Sequence, residues 1–408
     1  MPQMKSSARS PRMLRQDHYK TSVYKTPFHE RTSELNILNE WSRWKDYTVP
    51  TNYFRTDLEY FSVRNTTGVI DYTPMVKQKI TGPDAAEFVN RFFTRDMNKI
   101  AIGRVGYVVW CDEAGQVIDD GTVFHIRENE YWLLCVERQL DNLGNSAVGF
   151  DVKIEEITDD IACLGIQGPT SCSILKAIGF EGIENLKPFD IKHYDYQGHE
   201  IIISRTGFSG DLGYEACMVN DAALNFWDAL FDKGKIYGIQ PFGLDALDLV
   251  RIEAGLLVPG HDFMVAEDAI RPGSTRSPFE LGLSWLVDLS KPVFNGREAL
   301  IEEKKRGSRY TFVKLNINGN KPAEGAYLYN QSGKKIGNVT SAMFSPSAKA
   351  NIAYASLHDP WKKGKDKIIA EIYYQKDLEW NKVMEEATIV TKPFFDPERR
   401  KVTPAELY

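Results

Sequence analysis

Near residue 300 the spacing of apolar residues changes, and this change divides the chain into two parts. Beyond it, helical spacing is lost and four short apolar segments follow, which read RYTFVKLNI, KKIGNVTSAMF, NIAYASL and KIIAEIYY. Short strands separated by turns are typical of a small barrel or sandwich. A chain of 408 residues is long enough for more than one core. We therefore predict an α+β body over residues 26–300 and a C-terminal β-barrel domain over residues 301–400.

Helices and strands are mixed in the predicted body. The apolar segments GYVVWC, QVIDDGTVFHI and EYWLLCV are joined by the polar turns DEAG and RENE, so they predict an antiparallel meander. A strand, a loop and a second strand are predicted for HEIIISRTGFSGDLGYEACMV. Helical spacing of apolar residues is found in ELNILNEWSRW, TGPDAAEFVNRFFT, GPTSCSILKAI, DAALNFWDALFDKG and GLDALDLVRIEAG.

Composition excludes several classes of partner and site. The formal net charge is −6 and the charges are interspersed, whereas a nucleic-acid-binding protein would show a basic patch. No apolar stretch approaches the ~20 residues of a membrane span. The five cysteines form no C-x-x-C pair, which favours a reducing compartment without a disulfide framework. His193 and His199 have no third ligand nearby in the sequence, so we predict no metal site.

The first 25 residues differ in composition from the rest of the chain. The segment MPQMKSSARSPRMLRQ has four basic residues, three serines and no acidic residue. A disordered basic tail over residues 1–25 of a cytoplasmic protein is the favoured interpretation. The same composition is also found in transit peptides, which leaves the mitochondrial matrix open as a second location.

A glycine-rich loop, RTGFSGDLGYE, lies between two predicted strands. Gly207, Gly210 and Gly213 follow one another at every third position, and Glu215 comes shortly after. Glycine is used where the backbone takes a positive φ or approaches another group closely. Two interpretations stay open on these residues alone: an irregular turn, or a loop shaped around a ligand that Glu215 contacts.

Two further groups of charged residues are candidates for chemistry. Asp119 and Asp120 are neighbours on a predicted strand, so their side chains leave opposite faces of the sheet and cannot act as a close pair. Asp245 and Asp248 precede Arg251 on one predicted helix. They form either a solvated ion pair or a support that orients the arginine toward an anionic or amide-bearing ligand. No phosphate-binding loop or dinucleotide-binding glycine motif is present.

Taken in order, these segments resemble the aminomethyltransferase family, which includes the T-protein of the glycine cleavage system. The resemblance extends from about residue 26 to residue 395, and RTGFSGDLGYE is its closest match. The other matching segments read KTPFHE, GVIDYTPM, YVVWCDEAGQVIDD, IACLGIQGP, GLDALDLVRIEAG, SPFELGLSWLV, KPVFNGREAL, TSAMFSPSAKANIAYASL and VTKPFF.

The resemblance implies a fold, a cofactor and a set of site residues. The fold is a body of two intertwined α+β subdomains around a central folate cavity, followed by a C-terminal β-barrel. The cofactor is tetrahydrofolate, and the activity is transfer of a one-carbon unit to it. The resemblance assigns pterin or folate contacts to Glu215, Arg251, Tyr107 and Gly207, and the catalytic carboxylate to Asp119.

The chain departs from the family pattern around the expected donor. Pro74 stands where the glycine-system enzymes carry histidine, and Trp110 stands where many relatives have a smaller residue. Tyr72 and Trp110 are therefore predicted to line the donor pocket, where an aromatic face would suit a cationic methyl donor. The donor is either an aminomethyl group on a lipoyl protein or a small methylated molecule, which would make the chain a demethylase.

Two interpretations outside this pair of activities also stay open. One is a folate-binding protein without activity, and the second is the separated half of a flavin-dependent oxidase. The oligomeric state is not determined by any of these segments.

Overall fold

The computed structural model describes residues 23–271, 273–358 and 367–408. Eight α-helices are described there: α1 His29–Leu35, α2 Thr56–Asn65, α3 Ala85–Phe92, α4 Leu140–Ser146, α5 Ser171–Ala177, α6 Ala223–Gly234, α7 Leu244–Ala254 and α8 Arg297–Arg306. The strands of the body are β1 Tyr24–Lys25, β2 Glu40–Trp44, β3 Tyr47–Asn52, β4 Thr67–Asp71, β5 Val76–Thr81, β6 Arg104–Cys111, β7 Val117–Arg127, β8 Glu130–Cys135, β9 Lys153–Glu156, β10 Ile161–Gln167, β11 Ile191–Tyr196, β12 His199–Ser204, β13 Gly213–Val219 and β14 Ile239–Pro241. The strands of the C-terminal part are β15 Tyr310–Ile317, β16 Tyr327–Tyr329, β17 Lys335–Ser345, β18 Ala350–His358, β19 Ile368–Lys376 and β20 Glu379–Val390.

Two sheets form the centre of the body, and the chain passes between them more than once. One has the strand order β11-β12-β13-β10-β4-β14, and the other has the order β6-β7-β8-β5-β9. Strand β4 belongs to the first sheet, whereas β5, the next strand along the chain, belongs to the second. The chain returns to the first sheet between β9 and β10. This crossing gives the intertwined body that the resemblance implied.

Three apolar layers follow from these two sheets. Residues of both sheets, such as Phe124 and Cys217, share one buried cluster between them. The outer face of the six-stranded sheet packs on α5 and α6, and that of the five-stranded sheet packs on α3. Because strand residues alternate between faces, each body strand that is buried on both sides is apolar along most of its length.

The C-terminal strands close into a six-stranded barrel, with the order β15-β18-β17-β16-β19-β20. The α+β body and the C-terminal β-barrel are therefore confirmed. Helix α7 packs against barrel strands β17 and β18, and this contact joins the barrel to the body. None of the helices in the described ranges is both long and apolar enough to cross a membrane.

Two sequence-based predictions differ from the structure in the first part of the chain. The helix predicted for ELNILNEWSRW ends at Leu35, and residues 40–44 form β2 instead. The backbone turns at Asn39, where φ is 54°, and β2 then pairs antiparallel with β3. Within the predicted disordered tail, Tyr24 and Lys25 form β1 beside β3. Residues 1–22 of that tail lie outside the described residues.

Candidate active site

The β6–β7 hairpin carries a tyrosine and a buried carboxylate on the same face of the five-stranded sheet. The phenol of Tyr107 donates a hydrogen bond to Oδ2 of Asp120. Asp120 is 8% exposed, and burial raises the pKa of its carboxyl group to about 6, although the bond from Tyr107 opposes that shift. The negative charge of Asp262 raises the pKa of Asp120 further. This hairpin thus presents a carboxylate that titrates close to neutral pH.

Asp119 lies on the opposite face, and the prediction that it shares a pocket with Tyr107 is wrong. Its Oδ2 accepts from the Gln139 side chain at 3.2 Å and from the backbone N–H of Glu137 at 3.3 Å. Burial and the charge of Asp120 raise the pKa of Asp119 well above its usual range. The hydrogen-bonded side chain of Asp119 thus supports the loop after β8.

The predicted placement of Trp110 in a donor pocket is also wrong. Trp110 pairs with Asp119 across the hairpin and points the same way. Its ring is 1% exposed and packs against Phe92 and Phe93, with centroid separations of 5.8 Å and 5.6 Å. The indole N–H donates to Gln139 at 3.3 Å. Trp110 therefore belongs to the core under α3.

Arg251 is held by an acidic residue that sequence reasoning missed. Its Nη1 pairs with Asp262, and its Nε donates to Asp248 at 2.7 Å. The side chains of Arg251 and Asp262 are 1% and 0% exposed. Asp245 takes no part in this pair, since its carboxylate accepts from Asn52 at 2.7 Å. Asp248 and Arg251 thus form an ion pair, in which the arginine is buried rather than solvated.

The barrel completes the environment of Asp262. Oδ1 of Asp262 accepts from the hydroxyls of Ser341 and Thr340 on β17, and its Oδ2 accepts from the backbone N–H of Val258 at 2.8 Å. Because every nitrogen of the Arg251 guanidinium group also donates within the protein, this arginine orients Asp262 rather than pointing freely into a pocket.

Glu215 and Tyr72 lie on the facing sheet. Glu215 is half-buried, and its Oε2 accepts from the Thr206 hydroxyl at 2.7 Å. Loss of solvation raises the pKa of Glu215. Tyr72 is 2% exposed, and its hydroxyl has no hydrogen-bond partner within the described part of the chain. Gly165 leaves room for the Tyr72 ring, because a Cβ there would lie 2.4 Å from that ring.

The glycine-rich loop folds around a glutamine. A Cβ on Gly207 would lie 2.0 Å from Oε1 of Gln167, and one on Gly213 would lie 2.2 Å from the same atom. Gln167 donates to the backbone carbonyl of Tyr214 at 3.2 Å and accepts from the Ser209 hydroxyl at 2.7 Å. The close approach at Gly207 is therefore to Gln167, and this packing accounts for a glycine there without a ligand.

Two other features of the described residues bear on the site. A polar cavity of about 680 Å³ lies beside the β6–β7 turn, lined by residues such as Asp112, Asn142 and Glu267, and no predicted site residue lines it.

No group of three His, Cys, Asp or Glu side chains that could hold a metal ion is found within residues 23–271, 273–358 and 367–408.

Comparison with known proteins gives the family. The GCVT N-terminal domain model matches residues 29–291, and the glycine cleavage T-protein C-terminal barrel domain model matches residues 311–396. The chain belongs to the aminomethyltransferase family. An aminomethyltransferase of Caldanaerobacter subterraneus subsp. tengcongensis is 31% identical over 93% of this chain and 98% of its own. The Bacillus subtilis aminomethyltransferase is 30% identical over 86% of this chain and 93% of its own.

The fold is shared with a solved member of the family. The crystal structure of glycine cleavage system aminomethyltransferase T from Bartonella henselae has a TM-score of 0.80 and 23% identity, and covers 92% of this chain. Membership confirms the predicted folate-dependent transferase class, with tetrahydrofolate as cofactor. The residues between the two sheets fit such a group, because Tyr72 presents a buried hydroxyl that has no partner among the described residues, and Glu215 presents a half-buried carboxylate.

Proposed function

We propose that this chain transfers an aminomethyl-derived one-carbon unit to tetrahydrofolate, with Asp120 as the catalytic carboxylate. The observation that carries the proposal is the partly buried Tyr107–Asp120 hydrogen bond on the face of the sheet that is turned toward Asp262 and Arg251. A carboxylate with a pKa of about 6 is largely ionised at neutral pH and is still close enough to that pH to exchange a proton.

Each residue of the site has a separate task in this proposal. Asp120 stabilises positive charge that develops on reacting nitrogens, an interaction that is strong where water is scarce. Tyr107 holds the carboxylate in place and favours its ionised form. Asp262, fixed by Arg251 and the barrel hydroxyls, adds a second negative charge beside Asp120 and raises its pKa.

Glu215 is proposed to bind the pterin. One carboxylate oxygen accepts from Thr206, and a carboxylate has further acceptor sites for the N–H groups of an aminopyrimidine edge. Tyr72 offers a hydroxyl to the same ligand, since that hydroxyl has no partner in the part of the chain that the structure describes. When bound, tetrahydrofolate supplies the nitrogens that take up the one-carbon unit.

The donor we propose is an aminomethyl thioether on the lipoyl arm of a partner protein. In that reaction the C–S bond breaks, the thiol of the arm is regenerated, ammonia leaves, and the methylene group passes to the folate nitrogens. The curated relatives at about 30% identity that support this donor carry the name aminomethyltransferase. The burial of Trp110 also removes one of the two aromatic residues that would favour a cationic methyl donor.

The experiment is a product assay with purified protein and tetrahydrofolate. One arm receives an aminomethylated lipoyl protein, and parallel arms receive methylated amines, sulfonium compounds or methyl ethers. We expect ammonia and 5,10-methylenetetrahydrofolate in equal amounts from the first arm alone. Formation of 5-methyltetrahydrofolate without ammonia from any of the parallel arms would replace this proposal by demethylase activity.

A further inference from the structure

Two cysteine thiols are in contact between the central sheets. Sγ of Cys163, on β10, lies 3.0 Å from Sγ of Cys217, on β13. The residues are register partners on neighbouring antiparallel strands, and they are 2% and 1% exposed. Neither has a role in the proposed reaction, so their direct contact calls for a separate explanation.

The backbone around this pair allows a bond between the sulfurs. The carbonyl of Cys163 accepts from the N–H of Tyr72 at 2.9 Å, and the N–H of Cys163 donates to the Thr73 hydroxyl at 3.2 Å. Both backbone groups therefore point away from β13, which makes Cys163 and Cys217 a non-hydrogen-bonded pair. Such pairs have the shorter Cα separation of an antiparallel ladder, about 4.5 Å, and disulfides span that separation.

A buried cation lies beside the two thiols. Lys77 is 0% exposed, and its Nζ donates to the carbonyls of Thr73 and Met75 at 2.8 Å and 2.9 Å. Its charge interacts with both Cys163 and Cys217. The hydrogen bond with Cys217 and burial raise the pKa of the Cys163 thiol well above its usual range, and the charge of Lys77 opposes that rise. Cys217 also lies two residues from Glu215 on one face of β13, so the thiols border the half-buried region around that carboxylate.

We infer that Cys163 and Cys217 are a redox modification site, which a peroxide converts to a reversible intrachain disulfide. One thiolate attacks a peroxide oxygen, breaks the O–O bond and becomes a sulfenic acid, while hydroxide leaves and takes up the displaced proton. The second thiol then attacks that sulfur, and the sulfenic oxygen leaves as water. In total, two thiols and one hydrogen peroxide give one disulfide and two waters. Dithiothreitol reverses the reaction by thiol–disulfide exchange.

The test treats the folded, full-length protein with hydrogen peroxide, stops the reaction with catalase and counts free thiols after denaturation. We expect the five thiols of the reduced chain to fall by two. Digestion without reductant should release one cross-linked pair of peptides, containing Cys163 and Cys217, which dithiothreitol separates. The oxidised protein should also melt at a higher temperature, because the cross-link restricts the unfolded chain.

Variants separate this pair from the remaining thiols. Cys163→Ala and Cys217→Ala should abolish the cross-link, whereas Cys111→Ala, which removes another buried thiol, should leave it intact. The peptide map of the unaltered protein gives the answer even if a variant fails to fold. Retention of all five thiols, a cross-link between other cysteines, or irreversible oxidation of Cys163 without a cross-link would each overturn the inference.

Discussion

The phenol of Tyr107 donates to the carboxylate of Asp120 across the β6–β7 strand pair, while Asp119 faces the opposite side of the sheet. The two neighbouring acids thus differ in surroundings and in expected function. Asp120 lies near another carboxylate and a tyrosine, and Asp119 is bound by an amide side chain and backbone N–H groups.

Replacement of the two aspartates should therefore have unequal effects. Asp120→Asn removes the negative charge proposed for catalysis, and we expect kcat to fall by about 10²–10³, which is the usual effect of removing one electrostatic group. Asp119→Asn changes a side chain on the face of the sheet that is turned away from Tyr107 and Asp120, and should change kcat by less than threefold. Steady-state kinetics on both variants, with folate affinity measured separately, checks this. Equal losses in the two variants would refute the assignment.

The pH dependence should report the Asp120 carboxyl group. Because its pKa is about 6, kcat/KM should decrease as the pH falls below about 6, and this inflection should be missing in Asp120→Asn. Tyr107→Phe removes a bond that favours the ionised form, so its inflection should move to higher pH.

The same pKa also affects stability, but here the favourable contribution is present at low pH, whereas activity is favoured at high pH. The native state keeps a proton on Asp120 between about pH 4 and 6, where the unfolded chain has lost it. The contribution of Asp120 to the free energy of unfolding is therefore fully present below pH 4 and is lost as the pH rises through 6. Denaturant titrations should show that the free energy of unfolding of the wild-type protein, relative to that of Asp120→Asn, decreases as the pH rises from about 4 to 6.

Glu215 should determine folate affinity. Glu215→Gln loses charge-assisted hydrogen bonds to the ligand, each worth about 1.5–3 kcal/mol, so the folate Kd should rise by about tenfold or more. Thr206→Val removes only the hydroxyl that supports Glu215, and a smaller increase is expected. Calorimetric titration with a stable reduced folate measures both. An unchanged Kd in Glu215→Gln would exclude Glu215 from the site.

Gly207 should be sensitive to the addition of a single methyl group. In Gly207→Ala the new Cβ meets Gln167, and overpacking of this kind costs about 1–3 kcal/mol of unfolding free energy. Gly144→Ala is the matched control, because a Cβ there has no neighbour within 4 Å and alanine favours the helix. The cost at Gly207 should shrink in a Gln167→Ala background, which a double-mutant cycle can measure.

Loss of Arg251 should destabilise the fold strongly. Arg251→Met leaves the fully buried Asp262 without its cation, a change that costs about 3–5 kcal/mol. Arg55→Met serves as control, because Arg55 and Asp57 form a solvent-exposed pair, and water screens such a pair so that its loss has little effect on stability. Thermal denaturation of both variants tests the difference, and similar melting temperatures would contradict it.

The sequence alone predicted the two-part architecture, the β6–β8 meander and four of the eight described α-helices, because these depend on local periodicity and turns. It did not predict which aspartate shares a face with Tyr107. Near the turn Cys111 pairs with Val117, and beyond a register shift Trp110 pairs with Asp119. Without that bulge Asp119 would pair with Val109 and point the same way as Tyr107. One extra residue in β7 moves each following side chain to the other face of the sheet, and bulges of this kind leave no clear sequence signal.

Asp262 was missed for a related reason. It lies in a segment between α7 and α8 without a strong periodic pattern, and its partners come from distant parts of the chain: Arg251 on α7 and Ser341 on the barrel. Trp110 was assigned to the donor pocket because it stands where many relatives have a smaller residue, but a large aromatic side chain also suits a core. Only the packing of α3 on the sheet decides between these roles.

Ser341 and Thr340 of the barrel donate hydrogen bonds to Asp262 of the body, so the barrel influences the proposed catalytic carboxylate Asp120 through Asp262. Exchanging the barrel for that of a distant relative would replace those hydroxyls and alter the charge balance next to Asp120. Such a chimera would keep every residue of the body and still have a shifted pH optimum. The optimum would be unchanged only if the introduced barrel carried hydroxyl residues at the same two positions.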